Sequence, residues 1–312
     1  MRDEITFGKW WHGLTAGQQQ AWAQKIHQAA GGDAKALEKL DGVIRDELTV
    51  YVTFKDGKIV LVDRNGRCIP LATMKGGYVD ANRDFYITKP EISYTGILAR
   101  LQRFFAPEMK FVSAAEFKKR ATALIAGLRE DQQVANLLKG VYLPIVLPQI
   151  TVADYGRTLE GIFLAAVERA YQAQYPDREF NNYRKGELAG QVGVVEESRH
   201  QRLIEKMAEG PVVLIHFPCP CQGFSIPADR KMIGAFPAGF MLSGALDTAT
   251  SIVANTSTLA LNGSKPGNDC SANTWQSAED SLSFETDDDG LVFGSGDIDA
   301  YAGFSAGLSF VG

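Results

Sequence analysis

The chain has 312 residues, 45% of them hydrophobic, enough to bury a substantial core in one large or two ordinary domains. A formal charge of −5 gives no general attraction to nucleic acid or to an anionic membrane. Four cysteines (Cys68, Cys219, Cys221, Cys270) make no disulfide framework, and no apolar stretch is long enough to span a bilayer.

The opening Met1-Arg2-Asp3-Glu4-Ile5-Thr6-Phe7 has no apolar core of signal-peptide length. The expectation is a cytoplasmic protein, or a phage-particle component made in the cytosol, with no nucleic-acid partner and no membrane insertion. Thr15 can cap a first helix that runs to Gly31-Gly32. Asp33 starts a second, with Leu37, Leu40, Ile44 and Leu48 spaced for one apolar face. Tyr51-Val52-Thr53-Phe54 and Ile59-Val60-Leu61-Val62 flank Asp56-Gly57, a hairpin signal, and Asn65-Gly66 marks another turn. The pattern predicts a helix over 93–105, stopped before Pro107. Ser113 and Glu116 form a capping box for a helix that buries Phe117, Leu124, Ile125 and Leu128. Residues 142–148, with prolines at 144 and 148, read as an edge strand or a linker. A boundary near here divides the chain into an α+β region of unknown role (1–148) and a second domain (149–312).

A helix from Asp154 places Leu159, Ile162, Phe163, Ala166, Val167, Ala170 and Tyr171 in one stripe. A polar loop at 181–186, a helix over about 196–209 ending at Gly210, and a buried strand at 212–215 follow. From Gly263 onward helix signals vanish. Leu282/Phe284, Leu291/Phe293 and Leu308/Phe310 mark short alternating segments between Asp- and Gly-rich turns, so the fold class is α+β.

Three clusters could carry chemistry. His216, Cys219 and Cys221 offer imidazole and thiolates to a metal, or a thiol site; the prolines among them equally read as a turn leaving a strand. Glu285, Asp287 and Asp289 before Gly290 have alternating oxygens, as in a calcium loop, but position 12 is Gly296, which leaves an acidic hairpin turn as the simpler account. Glu196, Glu197 and His200 sit at a helix start, where carboxylates suit the dipole; a general-base role for His200 lacks a visible partner. The chain has no phosphate-binding or dinucleotide glycine motif, no Gly-X-Ser-X-Gly and no His-Glu-X-X-His. No metal, cofactor or catalytic residue is assigned.

The tail carries the strongest signal. From Pro266 to Gly312 there is no Lys or Arg, and from Ser281 onward no Asn, Gln, His, Pro, Met, Trp or Cys. Alternation puts Leu and Phe inward and frees the other face to vary. Asp, Ser, Gly and Tyr suit an adaptable binding face.

Asn273-Thr274-Trp275-Gln276-Ser277, the alternating run and the closing Gly307-Leu308-Ser309-Phe310-Val311 resemble the end of C-type-lectin-like (formylglycine-generating-enzyme-like) domains. In particular they resemble the variable proteins of diversity-generating retroelements. Cys219-Pro220-Cys221-Gln222-Gly223-Phe224-Ser225-Ile226-Pro227-Ala228-Asp229 is similar to that family's Cys-Pro-x-Gly-Trp-x-x-Pro-x-Asp segment, with Phe224 in place of the Trp and Lys231 where an acid is usual. The resemblance spans about 155–312. It implies a C-type-lectin-like domain with a variable tail over about 273–312, and binding of a protein or surface ligand without a cofactor. The outward residues expected to bind are Ser283, Asp287, Asp288, Val292, Gly294, Ser295, Asp297, Asp299, Tyr301, Ala302 and Phe304, with Trp275 and the Leu/Phe series as framework. Two alternatives stand beside this: an enzyme using His216, Cys219 and Cys221, and a phage structural protein whose N-terminal part assembles.

Overall fold

The computed structural model describes residues 61–71, 77–79, 87–261 and 265–312. The two helices and most of the hairpin expected before residue 61 lie outside the described residues. Those described belong to one compact unit, Val60–Gly312. The turn at Asn65-Gly66 is present: Asp63 accepts from the N–H groups of Asn65 (2.8 Å) and Arg67 (2.9 Å), and Gly66 takes φ +84°.

Helix α1 (Tyr94–Phe104) is capped by Ser93 and α2 (Ala114–Glu130) by Ser113; each hydroxyl accepts an N–H from the first turn. Both bury one stripe, Leu101 and Phe104 from α1 and Phe117, Ala121, Ile125 and Leu128 from α2. Leu124 is only partly covered. Strand β1 (Leu143–Leu147) is the outermost strand of the main sheet, so the edge-strand alternative describes it. The boundary expected near 148 falls inside this compact unit, and the core runs without interruption from Leu61 to Leu308.

Asp154 caps α3 (Tyr155–Thr158), which passes through a π-helical stretch, Leu159–Leu164, into α4 (Ala165–Gln174). The expected stripe is buried along this run, with Ile162 at its margin. Asn181 and Asn182, expected in a loop, end β2 (Glu179–Asn182), which pairs in parallel with β9. Strand β3 (Val192–Val194) pairs with β7. The helix expected over 196–209 is broken. A 3-10 turn, Glu196–Ser198, leads to Arg199 at φ 62°, and α5 (Gln201–Glu209) follows. The left-handed residue costs about 1–2 kcal/mol. Tertiary hydrogen bonds from its guanidinium to the carbonyls of Phe236, Pro237 and Phe240 offset that cost.

Strand β4 (Val212–Gln222) overturns the expected turn after Ile215: it runs straight through Pro218 and Pro220. A bulge accommodates them, because the pairing with β10 skips between Phe217 and Cys221. The proline carbonyls stay in use, Pro218 accepting from Asn268 Nδ2 and Pro220 from Cys68 N–H. The region 225–261, for which no elements were expected, holds α6 (Ile226–Met232), β5 (Phe240–Leu242), α7 (Ala245–Ala254) and α8 (Thr256–Leu259).

The tail contributes β6 (Gly267–Asp269), β7 (Asn273–Trp275), β8 (Asp280–Thr286), β9 (Gly290–Asp297) and β10 (Phe304–Phe310). The main sheet is mixed and open, in the order β1-β4-β10-β6-β8-β9-β2, with β5 also on β10. Strand β10 is therefore interior: β4 borders one edge, and β6 and β5 share the other. The architecture is α+β, with helices packed against a large mixed sheet.

Candidate functional site

The expected binding residues do not share one surface. At one end of the β8–β9 hairpin, Asp287 and Asp288 are exposed. Asp287 Oδ1 accepts from the N–H groups of Asp289 (2.9 Å) and Gly290 (2.7 Å), so this carboxylate holds its own turn. Arg178 pins the turn from outside through the carbonyls of Asp287 (2.6 Å) and Asp288 (2.9 Å). This is the acidic hairpin turn of the simpler account. The other exposed end, after Asp297, lies roughly 23 Å away along β9 at the rise of an extended strand.

Between these ends two residues, Val292 and Ser295, are corrected, and Gly294 and Ser283 are partly exposed. Val292 is 3% exposed, because β9 is an interior strand and Val292 is enclosed between Asn181 of β2 and Glu285 of β8. Ser295 lies across from Leu282, on the apolar side of the hairpin, and its hydroxyl accepts from Arg184 Nε at 3.0 Å. Gly294 is only half-exposed, with the Tyr183 ring next to it. Ser283 is half-buried between Gly294 and Asp269. The Arg184 guanidinium also stacks 4.2 Å over Trp275, a buried framework residue. Asp297 pairs with Asp280 through the backbone.

Asp299, Tyr301, Ala302 and Phe304 do come together. The loop 298–304 is fastened at four points, each through one of its own carbonyls. Ile298 accepts from Ile226 N–H (2.9 Å), Ala302 from Gln222 Nε2 (3.0 Å), Gly303 from Gly267 N–H (2.8 Å) and Phe304 from Gly223 N–H (3.0 Å). The side chains of Asp299 and Tyr301 stay outside, Tyr301 at 63% exposure with Phe304 beneath it at 5.8 Å between ring centres. Residues 77–79 extend this surface. Gly77 lies against Ala300, its carbonyl accepts from Ser225 N–H, and Val79 N–H donates to Gly223. Tyr78, 53% exposed, leans on Phe224. The result is a ridge of Tyr78, Val79, Tyr301 and Phe304 with Asp299 beside it. Tyr78 and Val79 were not anticipated, since nothing local in Gly76-Gly77-Tyr78-Val79 announces a neighbour more than two hundred residues away.

Segment 219–229 positions this ridge. It ends β4, turns at Gly223 (φ +83°) and enters α6 at Ser225, whose hydroxyl caps Ala228 N–H. An added Cβ at Gly223 would meet the Val79 carbonyl at 2.5 Å, so glycine is required there twice over. Asp229 is buried and accepts from Ser271 Oγ at 2.9 Å; burial pushes its carboxyl up, and Asp269 adds to the effect.

His216, Cys219 and Cys221 occupy three separate environments. His216 belongs to a sealed polar network beneath the sheet. Its Nδ1 lies 3.2 Å from Ser243 Oγ and 3.3 Å from Ser309 Oγ, and Nε2 has no partner. Ser309 donates to Asp247 at 2.5 Å, and Gly244 N–H donates to the other oxygen of that carboxyl at 2.8 Å. His200 sits 3.9 Å from Asp247, faces the Leu242 carbonyl with Nδ1 and meets Tyr155 OH with Nε2. The single hydroxyl proton of Tyr155 can serve His200 or Asn273 Oδ1, not both. Every member is buried. Burial lowers both imidazoles, His216 to about 4, against the pull of Asp247. A nucleophile–base arrangement needs a substrate path and a carboxyl on the base; here Ser309 intervenes between Asp247 and His216, and no member is exposed. The network is a framework device that ties α3, the start of α5, β4, β5, α7, β7 and β10 together.

Cys219 faces a cleft beside β4, whereas Cys221 touches Cys68, sulfur to sulfur at 3.2 Å, in the core. Among the described residues, no group of three or more His, Cys, Asp and Glu is placed to hold a metal ion. None of their helices is long and apolar enough to cross a membrane. No family model, curated protein or solved structure matches this chain.

Proposed function

We propose that this chain is a ligand-binding protein that reads a protein or surface partner with the ridge formed by loop 298–304 and residues 77–79. In this reading the domain is C-type-lectin-like, of the kind diversified by retroelements, and acts in the cytoplasm or on a phage particle. The observation that carries the proposal is the fastening of loop 298–304 through four carbonyl oxygens. Backbone anchoring does not depend on side-chain identity, so residues 299–302 can change while the loop keeps its path. A diversified surface needs this separation of frame from display. Tyr301 and Tyr78 supply large apolar contact area at low entropic cost, and Asp299 adds a charge for steering. The restricted composition of the tail and the 219–229 segment support the family assignment.

The test exchanges Asp299, Tyr301 and Ala302 together for other small or aromatic residues, and compares partners captured by the native and exchanged chains. Retained circular dichroism with a changed or lost partner is the expected result. Identical partner profiles from two folded proteins would remove the ridge from binding. A near-copy of the 3′ coding end beside a reverse-transcriptase gene, differing mainly at adenines, is the genomic counterpart of the same expectation.

A further inference from the structure

Two of the four cysteines meet in the core. Cys68 and Cys221, 153 residues apart in the chain, are 1% and 0% exposed, and the Cys221 thiol lies 3.2 Å from the Cys68 sulfur. A disulfide bond is about 2.0 Å long, so roughly 1.2 Å of closing movement, shared between two side chains, separates the pair from a bond. The backbones beside them are already fastened, since Cys68 N–H donates to the Pro220 carbonyl at 2.7 Å. Segment 61–69 is itself held: Ile69 N–H donates to the Leu61 carbonyl (3.0 Å), Leu61 N–H to the Gln133 carbonyl (3.3 Å) and Asn136 Nδ2 to the Val62 carbonyl (3.0 Å).

The other two sulfurs have different neighbours. Cys219 Sγ meets Asn268 Nδ2 at 3.5 Å, and Cys270 bonds Thr248. Residues two apart on a regular strand share a face, but the bulge opposite β10 falls between Phe217 and Cys221, so Cys219 and Cys221 need not point the same way. The hydrogen bond to Cys68, together with burial, pushes the Cys221 thiol well up, which makes this sulfur a poor nucleophile once the protein is folded. Thiol exchange at this pair therefore belongs to the folding chain, before the core closes over it.

We propose that Cys68 and Cys221 are a disulfide pair, which closes to a single structural bridge when the chain folds with a small disulfide oxidant and stays as two thiols in a reducing compartment. With oxidised glutathione, one cysteine thiolate attacks the glutathione S–S bond, forming a mixed disulfide and releasing one glutathione thiol. The second cysteine attacks the protein sulfur of that mixed disulfide and displaces the other glutathione. Two protein thiols are oxidised, one glutathione disulfide is reduced, and the two thiol protons end on the two released glutathiones. The bridge spans 153 residues of chain, so it restricts the unfolded state strongly. It ties segment 61–71 to the end of β4, where Gln222 and Gly223 hold loop 298–304, and it needs no ligand on that loop.

The experiment refolds the full chain from urea in a mixture of oxidised and reduced glutathione, blocks the remaining thiols with iodoacetamide, and maps the unreduced digest by mass spectrometry. A peptide carrying Cys68 joined to one carrying Cys221 is expected, about tenfold or more over any other pairing, because the fold holds these two sulfurs together. Cys219→Ser should form the same bridge, which separates Cys221 from its neighbour in the digest, and Cys68→Ser should leave Cys221 free. The bridged protein should melt about 5 °C or more above the same protein after dithiothreitol. All four thiols blocked in the refolded protein, or bridges spread evenly over the four cysteines, overturns the pairing. A bridge that leaves the melting temperature unchanged or lower overturns its structural role.

Discussion

Residues 299–304 and 305–309 are neighbours written in the same small alphabet, Asp-Ala-Tyr-Ala-Gly-Phe and then Ser-Ala-Gly-Leu-Ser, yet they have opposite fates. The first stretch is bonded through its carbonyls and keeps Asp299 and Tyr301 in solvent. The second is buried at every position, because β10 is bordered on both edges and lies over the Ser243–His216–Asp247 network. Small polar residues serve both places for different reasons. In the loop they tolerate variation; in β10 they let a strand approach closely. An added Cβ at Gly307 would come within 2.9 Å of Ser243 Oγ. Composition reports what a position can accommodate, and strand order decides whether it meets solvent.

The largest effect should come from charging the buried half. Leu308→Asp places a carboxylate where nothing can pair it, and should cost about 4 kcal/mol or more, enough to unfold a marginal domain. Loss of the cooperative thermal transition is the expected readout. A folded Leu308→Asp protein of near-native stability would mean that β10 is not interior.

A moderate effect is expected in the network. Asp247→Ala orphans Gly244 N–H and takes from Ser309 Oγ its charged acceptor, leaving it His216 and Ser243, and should cost about 2–3 kcal/mol by urea unfolding. Its pH signature has a definite sign. Folded His216 stays neutral down to about pH 4, whereas an unfolded imidazole takes a proton near 6.5. Between these values the unfolded state binds more protons, so this group costs stability as pH falls through the window, about 1.4 kcal/mol per unit. Asp269 works the other way: its carboxyl, raised to about 7 by burial and Glu285, costs stability as pH rises. The difference between wild type and His216→Gln isolates the imidazole. The advantage of wild type at pH 7.5 should shrink by roughly 2–3 kcal/mol at pH 4.5. A constant gap would show that the ring is not held neutral.

The parts of this structure legible in the sequence are those set by neighbours a few residues apart. Ser93, Ser113 and Asp154 cap the expected helices, because a cap needs only its own first turn. The Leu282/Phe284 and Leu291/Phe293 alternation marks β8 and β9. What remained illegible depends on distant contacts. Helix α7 is buried at all ten positions from Ala245 to Ala254, so no polar face exists to produce a period. Strand β4 carries two prolines whose local preference is a turn, and only the bulge opposite β10 admits them. Ser295 and Val292 sit on the sides that β2 and the Arg184 loop cover, and the pairing of β2 with β9 is more than a hundred residues long-range. The polar network draws Tyr155, His200, His216, Asp247, Asn273 and Ser309 from positions scattered between 155 and 309, and no local spacing links them.

The smallest stability effects belong to the displayed half, and they are the sharpest test of the contrast. Tyr301 is largely exposed and rests on the half-buried Phe304, and its loop is held by backbone atoms that truncation leaves in place. Asp288 is exposed, and its carbonyl, not its carboxylate, accepts from Arg178. Tyr301→Ala and Asp288→Ala should each change unfolding free energy by no more than about 0.5 kcal/mol. Asp287→Ala, by comparison, removes the carboxylate that bonds two turn N–H groups and should cost about 1 kcal/mol. The three midpoints, measured side by side in urea, separate side chains that hold the frame from those that only face outward. A Tyr301→Ala loss equal to or larger than that of Asp287→Ala would mean that the ridge supports the fold and is not free to vary.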